Sequence, residues 1–154
     1  MDNKIFDVAD FFLANADPDD TITHLKLQKL CAYAQALSLS LRDGKKLFSD
    51  PLEAWPHGLV IRRLFDAYRA NGRNPITTET SATDSRIPFT DEELYILETV
   101  NSYYGAYAPQ RLRNMSHDDF PGNFGRQKAI IPDDDVRQRF DGNKVVRAIR
   151  EALA

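Results

Sequence analysis

The chain has 154 residues, 42% of them hydrophobic and 28% charged, with a formal net charge of −3 and a single cysteine. That length suits one domain over residues 1–154 with a core of its own, and the slightly acidic balance argues against a general nucleic-acid binder, which is normally basic. One cysteine cannot close an internal disulfide, no apolar run approaches a bilayer span, and Met1 to Asp7 lacks the basic-then-apolar pattern of a secretory leader, so a reducing cytoplasm is the expected setting.

In chain order, Ile5, Phe6, Val8, Ala9, Phe12 and Leu13 predict a short first helix that ends near Asn15, before the acidic turn at Asp17 to Asp20. A second helix is expected from about His24 to Arg42, started by Thr23 and stopped at Asp43-Gly44. Leu27, Leu30, Cys31, Ala34, Leu37 and Leu41 form one apolar stripe, and Leu25, Ala32, Ala36 and Leu39 extend it, so this helix should be covered on more than one side. Lys45 to Trp55 reads as a loop with a short extended piece, because Pro51 and Pro56 both interrupt helix. Val60, Ile61, Leu64, Phe65 and Tyr68 predict the inner face of a third helix, with Arg62, Arg63 and Arg69 mostly outside it and Asn71-Gly72 at its end.

Arg73 to Pro88 is rich in Thr, Ser, Asn and Pro and reads as a loop, after which Thr90-Asp91-Glu92-Glu93 is a capping box that opens a fourth helix. Leu94, Ile96, Leu97, Val100 and Tyr104 should face inward from it, with Gly105 at its close. Pro109 suits the first position of a fifth helix running to about His117, with Leu112 and Met115 inward. Phe120 to Gly125 reads as a turn-rich loop. Ala129-Ile130-Ile131 is a candidate strand for pairing with the Leu52 to Trp55 region, and Pro132-Asp133-Asp134-Asp135 reads as another helix start. One or two helices, broken near Asp141-Gly142, should finish the domain.

No catalytic or metal motif emerges. Ser116-His117-Asp118 has the residue types of a hydrolase triad, but three adjacent residues diverge on a helix or strand, and no strained Gly-x-Ser-x-Gly turn is present. His24, Cys31, His57 and His117 lack the close pairing of structural zinc ligands, and there is neither a P-loop nor a Gly-x-Gly-x-x-Gly segment. Nothing in these patterns points to a catalytic centre or a cofactor.

Candidate partner-binding residues are Lys26, Lys29, Trp55, His57, Arg62 and Arg63. Lysines in the first turns of a helix oppose its dipole, so Lys26 and Lys29 either reach a carboxylate elsewhere in the fold or meet an acidic or phosphate-bearing partner. A lone Trp55 between two prolines is either a packing anchor whose indole finds a carbonyl or an interface hot spot. Arg62 and Arg63 make a solvated helix face or, beside Trp55 and His57, suit an acidic surface.

Four segments carry a resemblance. Lys26-Leu27-Gln28-Lys29-Leu30 on a threonine-started helix, Ala54-Trp55-Pro56-His57-Gly58 before an apolar segment, Tyr104-Gly105, and His117 to Pro121, in this order, resemble the Panacea domain of the SocA-like antitoxin family of bacteria and phages. Leu59 and Gly122 stand where that family usually has proline and tryptophan. The resemblance implies a mainly α, compact single-domain helical fold with a small two- or three-stranded β element. It further implies the antitoxin of a two-gene toxin–antitoxin system, binding its cognate toxin directly; the toxins of such systems include toxic alarmone synthetases and membrane-acting proteins. The alternatives are a proteolytic adaptor that delivers a toxin to an ATP-dependent protease and, from another class, a small hydrolase. No nucleic acid or membrane partner is expected, and the sequence leaves homo-oligomerisation open.

Overall fold

In the computed structural model, residues 1–17, 22–56, 58–76, 85–120 and 128–153 are described. The acidic turn at 18–21, His57, the loop stretch 77–84 and the turn-rich segment 121–127 lie outside the described residues. Helix α2 (His24–Leu41) is the axis of the structure: Thr23 sits in extended backbone and its hydroxyl accepts from the Lys26 amide, and every residue from Lys26 to Leu39 is buried. A helix that is apolar on nearly all sides is stable only when covered on all sides. Around it pack α1 (Lys4–Ala14), α4 (Asp91–Tyr104), α5 (Pro109–Asp119), α6 (Asp133–Arg139) and α7 (Gly142–Leu153).

The remaining side is closed by the hairpin β1 (Leu52–Trp55) and β2 (Gly58–Val60), with β3 (Ala129–Ile131) antiparallel on the other edge of β1, giving the order β2-β1-β3. The expected pairing of Ala129-Ile130-Ile131 with Leu52 to Trp55 is present, with Leu52 opposite Ile131 and Ala54 opposite Ala129. β2 departs from the sequence reading: Val60 ends a strand, and the helix α3 (Arg62–Tyr68) begins two residues later before tightening into a 3-10 turn at Arg69–Asn71. Gly58, opposite Trp55 at the hairpin's end, has φ +110°, a conformation open to glycine, and this reverses the chain so that Gly58–Val60 can pair.

The capping box at α4 is complete, the Thr90 hydroxyl accepting from the Glu93 amide at 3.2 Å and the Glu93 carboxylate accepting from the Thr90 amide at 3.0 Å. Two helices finish the chain, and Gly142 at the start of α7 lets it close onto α2: its amide donates to Ser40 Oγ at 2.9 Å, the atom a Cβ there would meet at 2.7 Å. The fold is mainly α with a small three-stranded antiparallel sheet.

Candidate functional site

The five residues Lys26 to Leu30 turn polar groups into the protein rather than out of it. Lys26 Nζ donates to the Gly105 carbonyl at the end of α4. Gln28 pairs with both main-chain groups of Ile61, its Nε2 donating to the carbonyl at 3.3 Å and its Oε1 accepting from the amide at 2.9 Å. Lys29 Nζ donates to the Leu59 carbonyl at 2.9 Å. Lys26 and Lys29 are each only 1% exposed. Burial, with the charge of Arg113 adding to it, pushes the Lys29 ammonium down to about 7. Lys29 also explains part of the glycine requirement at Gly58, because a Cβ there would stand 2.7 Å from its Nζ and 3.2 Å from Ser116 Oγ. Four segments distant in sequence, Lys26 to Leu30, Gly58 to Ile61, Tyr104-Gly105 and the Ser116 turn of α5, therefore meet around α2.

Trp55 lies on the other side of the hairpin, 7% exposed, with its ring 4.8 Å from that of Phe65. Its indole Nε1 donates to Glu53 Oε1 at 3.2 Å, so the partner is a carboxylate two residues back on the same face of β1 rather than a carbonyl. Arg62 grips the same carboxylate with two bonds, Nε to Oε2 at 3.1 Å and Nη2 to Oε1 at 2.8 Å, and lies 5.2 Å from the Trp55 ring centre. Lys128 Nζ sits 4.1 Å from that centre. Glu53 is buried and the Arg62 side chain is 53% exposed, so a buried tryptophan lies beneath two cations that reach water. Beyond it, Ile130 on β3 is 61% exposed.

The structure separates the sequence-predicted site residues into an interior group and a surface group. Lys26 and Lys29 belong to the interior, each 1% exposed with its ammonium group on a main-chain carbonyl. Arg63 clamps the buried Asp50 with bonds of 2.7 and 2.6 Å and also donates to Asn3 Oδ1 and the Asp2 carbonyl, tying the N-terminus to the segment before β1. Trp55 and Arg62 stand together, and His57 is outside the described residues. Glu53 and Lys128 were missed. The two-residue spacing of Glu53 and Trp55 was a usable signal for the first; the second depends on the register of β3, which no local pattern states.

Ser116, His117 and Asp118 diverge on α5 as adjacent helical residues must: Ser116 is buried and donates to the Arg113 carbonyl at 2.8 Å, His117 is half-buried and Asp118 exposed. Burial, then the charges of Arg113 and Lys29, lowers the His117 imidazole, while burial and Lys29 do the same to His24. Among the described residues no three His, Cys, Asp or Glu side chains gather in a way that could hold a metal, and no helix is long and apolar enough to cross a membrane.

No curated protein and no solved structure matches the chain. The family model described as antitoxin SocA-like, Panacea domain, matches residues 27–121, and that stretch contains most of the motif residues that interlock around α2. With more than half of its length matched, including the inward-facing core of α2, the hairpin and the Tyr104-Gly105 close of α4, this chain belongs to the SocA-like antitoxin family with a Panacea domain.

Proposed function

We propose that the protein is the antitoxin of a two-gene system and neutralises one cognate toxin by direct contact, covering or distorting the toxin's active surface. The family match over residues 27–121 carries this reading, and it requires no catalysis. The face formed by Trp55, Arg62 and Lys128 supports direct binding as the mode. Its aromatic ring is held rigid by Glu53 and Phe65, so little side-chain entropy remains to be lost on association, and arginine beside tryptophan is the composition of interface hot spots. Two cations at its border favour an acidic surface on the toxin. A toxic alarmone synthetase is one toxin class to test first.

The experiment is growth of cells expressing the adjacent gene, with and without this protein, followed by co-purification. Relief of toxicity together with a stable complex is the expected result. Relief without a complex, accompanied by loss of the toxin from the cell, would instead support delivery to an ATP-dependent protease; a harmless neighbour would remove the antitoxin reading for that gene pair.

A further inference from the structure

A second surface carries two arginines that have no carboxylate partner among the described residues. Between the start of α2 and the start of α5 lies an open cleft of about 870 Å³, lined by Leu25, Arg73, Ala108, Pro109, Gln110 and Arg113 among others. Arg42, Arg62, Arg63 and Arg137 all sit on carboxylates, those of Glu92, Glu53, Asp50 and Asp43. Arg73 and Arg113 have no such partner among the described residues, and Arg113 Nε is fully buried there with no hydrogen bond. A guanidinium drawn partly out of water without a counter-charge is unfavourable, and the cost is recovered only when an anion arrives. The Arg113 charge is felt nearby: after burial, it is the next cause that lowers both Lys29 and His117.

We propose that this cleft receives an acidic side chain of the partner protein, its carboxylate on Arg113 and Arg73 and its apolar neighbour against Leu25 and Pro109. A planar guanidinium matches a carboxylate fork, which a point charge would not. The apolar walls argue for a carboxylate over a polyanion, whose remaining oxygens would be desolvated against Leu25, Ala108 and Pro109. That the occupant belongs to the toxin rests on the antitoxin reading; the preference of the cleft for a carboxylate does not.

The test is an amide-resolved NMR titration of the full chain with hexanoate, hexylammonium and inorganic phosphate at matched ionic strength. Hexanoate should shift the amides of Leu25, Gln110 and Arg113 saturably while hexylammonium does not, and Arg113→Gln should weaken binding by about tenfold, the worth of a charge-assisted hydrogen bond. Arg73→Gln, at an exposed position where folding is not at risk, should weaken it by a smaller factor. A response to hexanoate that is absent, equalled by hexylammonium, or unchanged in both variants overturns the proposal, as does a preference for phosphate. In a second arm, Arg73→Glu is assayed for binding of the toxin identified by growth rescue. Weakened binding is expected; loss of hexanoate binding with full toxin affinity would show that the occupant is not the toxin. If no toxin is found at all, the antitoxin reading fails while the titration still decides the cleft.

Discussion

Lys29 and Gly58 are one packing unit, and each makes a prediction about the other. The Lys29 ammonium has exchanged water for the Leu59 carbonyl in a buried site, so its proton is held less tightly in the folded chain, at about 7, than in the unfolded one, at 10.5. Between those values the unfolded state binds the extra proton, and stability from this group therefore rises as pH rises from about 7 towards 10. Lys29→Met removes that slope. The difference in urea unfolding free energy between the two proteins should move in favour of the natural chain by a few kcal/mol between pH 7 and 9.5, since each tenfold difference in proton affinity between the two states is worth about 1.4 kcal/mol. The buried Tyr33 hydroxyl and Cys31 thiol, both pushed up by burial, oppose stability at high pH equally in both proteins and cancel in the difference. A flat difference would mean that water reaches Lys29. At Gly58, alanine adds a Cβ in a left-handed conformation 2.7 Å from that ammonium, so Gly58→Ala should cost about 2 kcal/mol or more in the same urea experiment. Cys31, wholly buried, should resist thiol reagents in the native protein and react at the rate of unfolding; native modification on a time scale of seconds would contradict this packing.

At the scale of elements, α2 works as a spine that fastens loops by side chain to main chain. Gln35, seven residues after Gln28, repeats its action on a different segment: Nε2 donates to the Phe48 carbonyl at 2.7 Å, and Oε1 accepts from the amides of Leu47 at 2.8 Å and Phe48 at 3.3 Å. Ser38 donates to the Lys45 carbonyl at 2.7 Å. Buried main-chain groups outside regular structure must find partners somewhere, and here a helix supplies them. Gln35→Leu keeps the volume but orphans those groups, and should cost about 1–3 kcal/mol by chemical denaturation. Gln28→Leu should cost a similar amount, and because the two hold separate segments the double variant should be close to additive. Marked non-additivity would mean the hairpin and the 45–48 segment move as one. These roles explain where sequence reading succeeded and where it failed. The extent of α2, its threonine start, the capping box of α4 and the β3 pairing were legible because periodicity, capping chemistry and short apolar runs are local signals. That Lys26 and Lys29 reach across the fold was one of two readings drawn from their place against the helix dipole, but their acceptors are carbonyls and not carboxylates; the inward glutamines were not legible, because helical patterning assigns polar residues to the solvent side and carries no knowledge of main-chain groups thirty residues away. β2 was absorbed into α3 because a three-residue strand followed at once by a helix leaves Val60, Ile61 and Leu64 at helical spacing.

For the whole molecule, the division between buried motif and exposed cations decides how a partner-binding test must be designed. Altering Lys26, Lys29 or Gln28 removes buried side-chain to main-chain bonds and should loosen the fold, so a loss of toxin binding in such variants would report folding first. Arg62 is compromised in a different way, because removing it leaves the buried Glu53 carboxylate with the Trp55 indole as its one side-chain partner among the described residues, and an unpaired buried charge is costly. Trp55→Ala likewise empties a packed site against Phe65, at a cost of about 3 kcal/mol or more. Lys128 is the clean probe. It is exposed, forms no ion pair among the described residues, and its side-chain contact observed there is the approach to the Trp55 ring, worth about 0.5–1 kcal/mol at an exposed position. Lys128→Glu reverses charge on the proposed face and places a carboxylate near Glu53, so its thermal stability should fall only slightly. Toxin affinity should fall by tenfold or more on the order-of-magnitude scale of like-charge placement at an interface, chiefly through a slower association rate that converges with the natural protein's at high salt. Unchanged affinity and unchanged salt dependence in a folded Lys128→Glu protein would take the toxin off this face and leave the Arg73–Arg113 cleft as the surface to map.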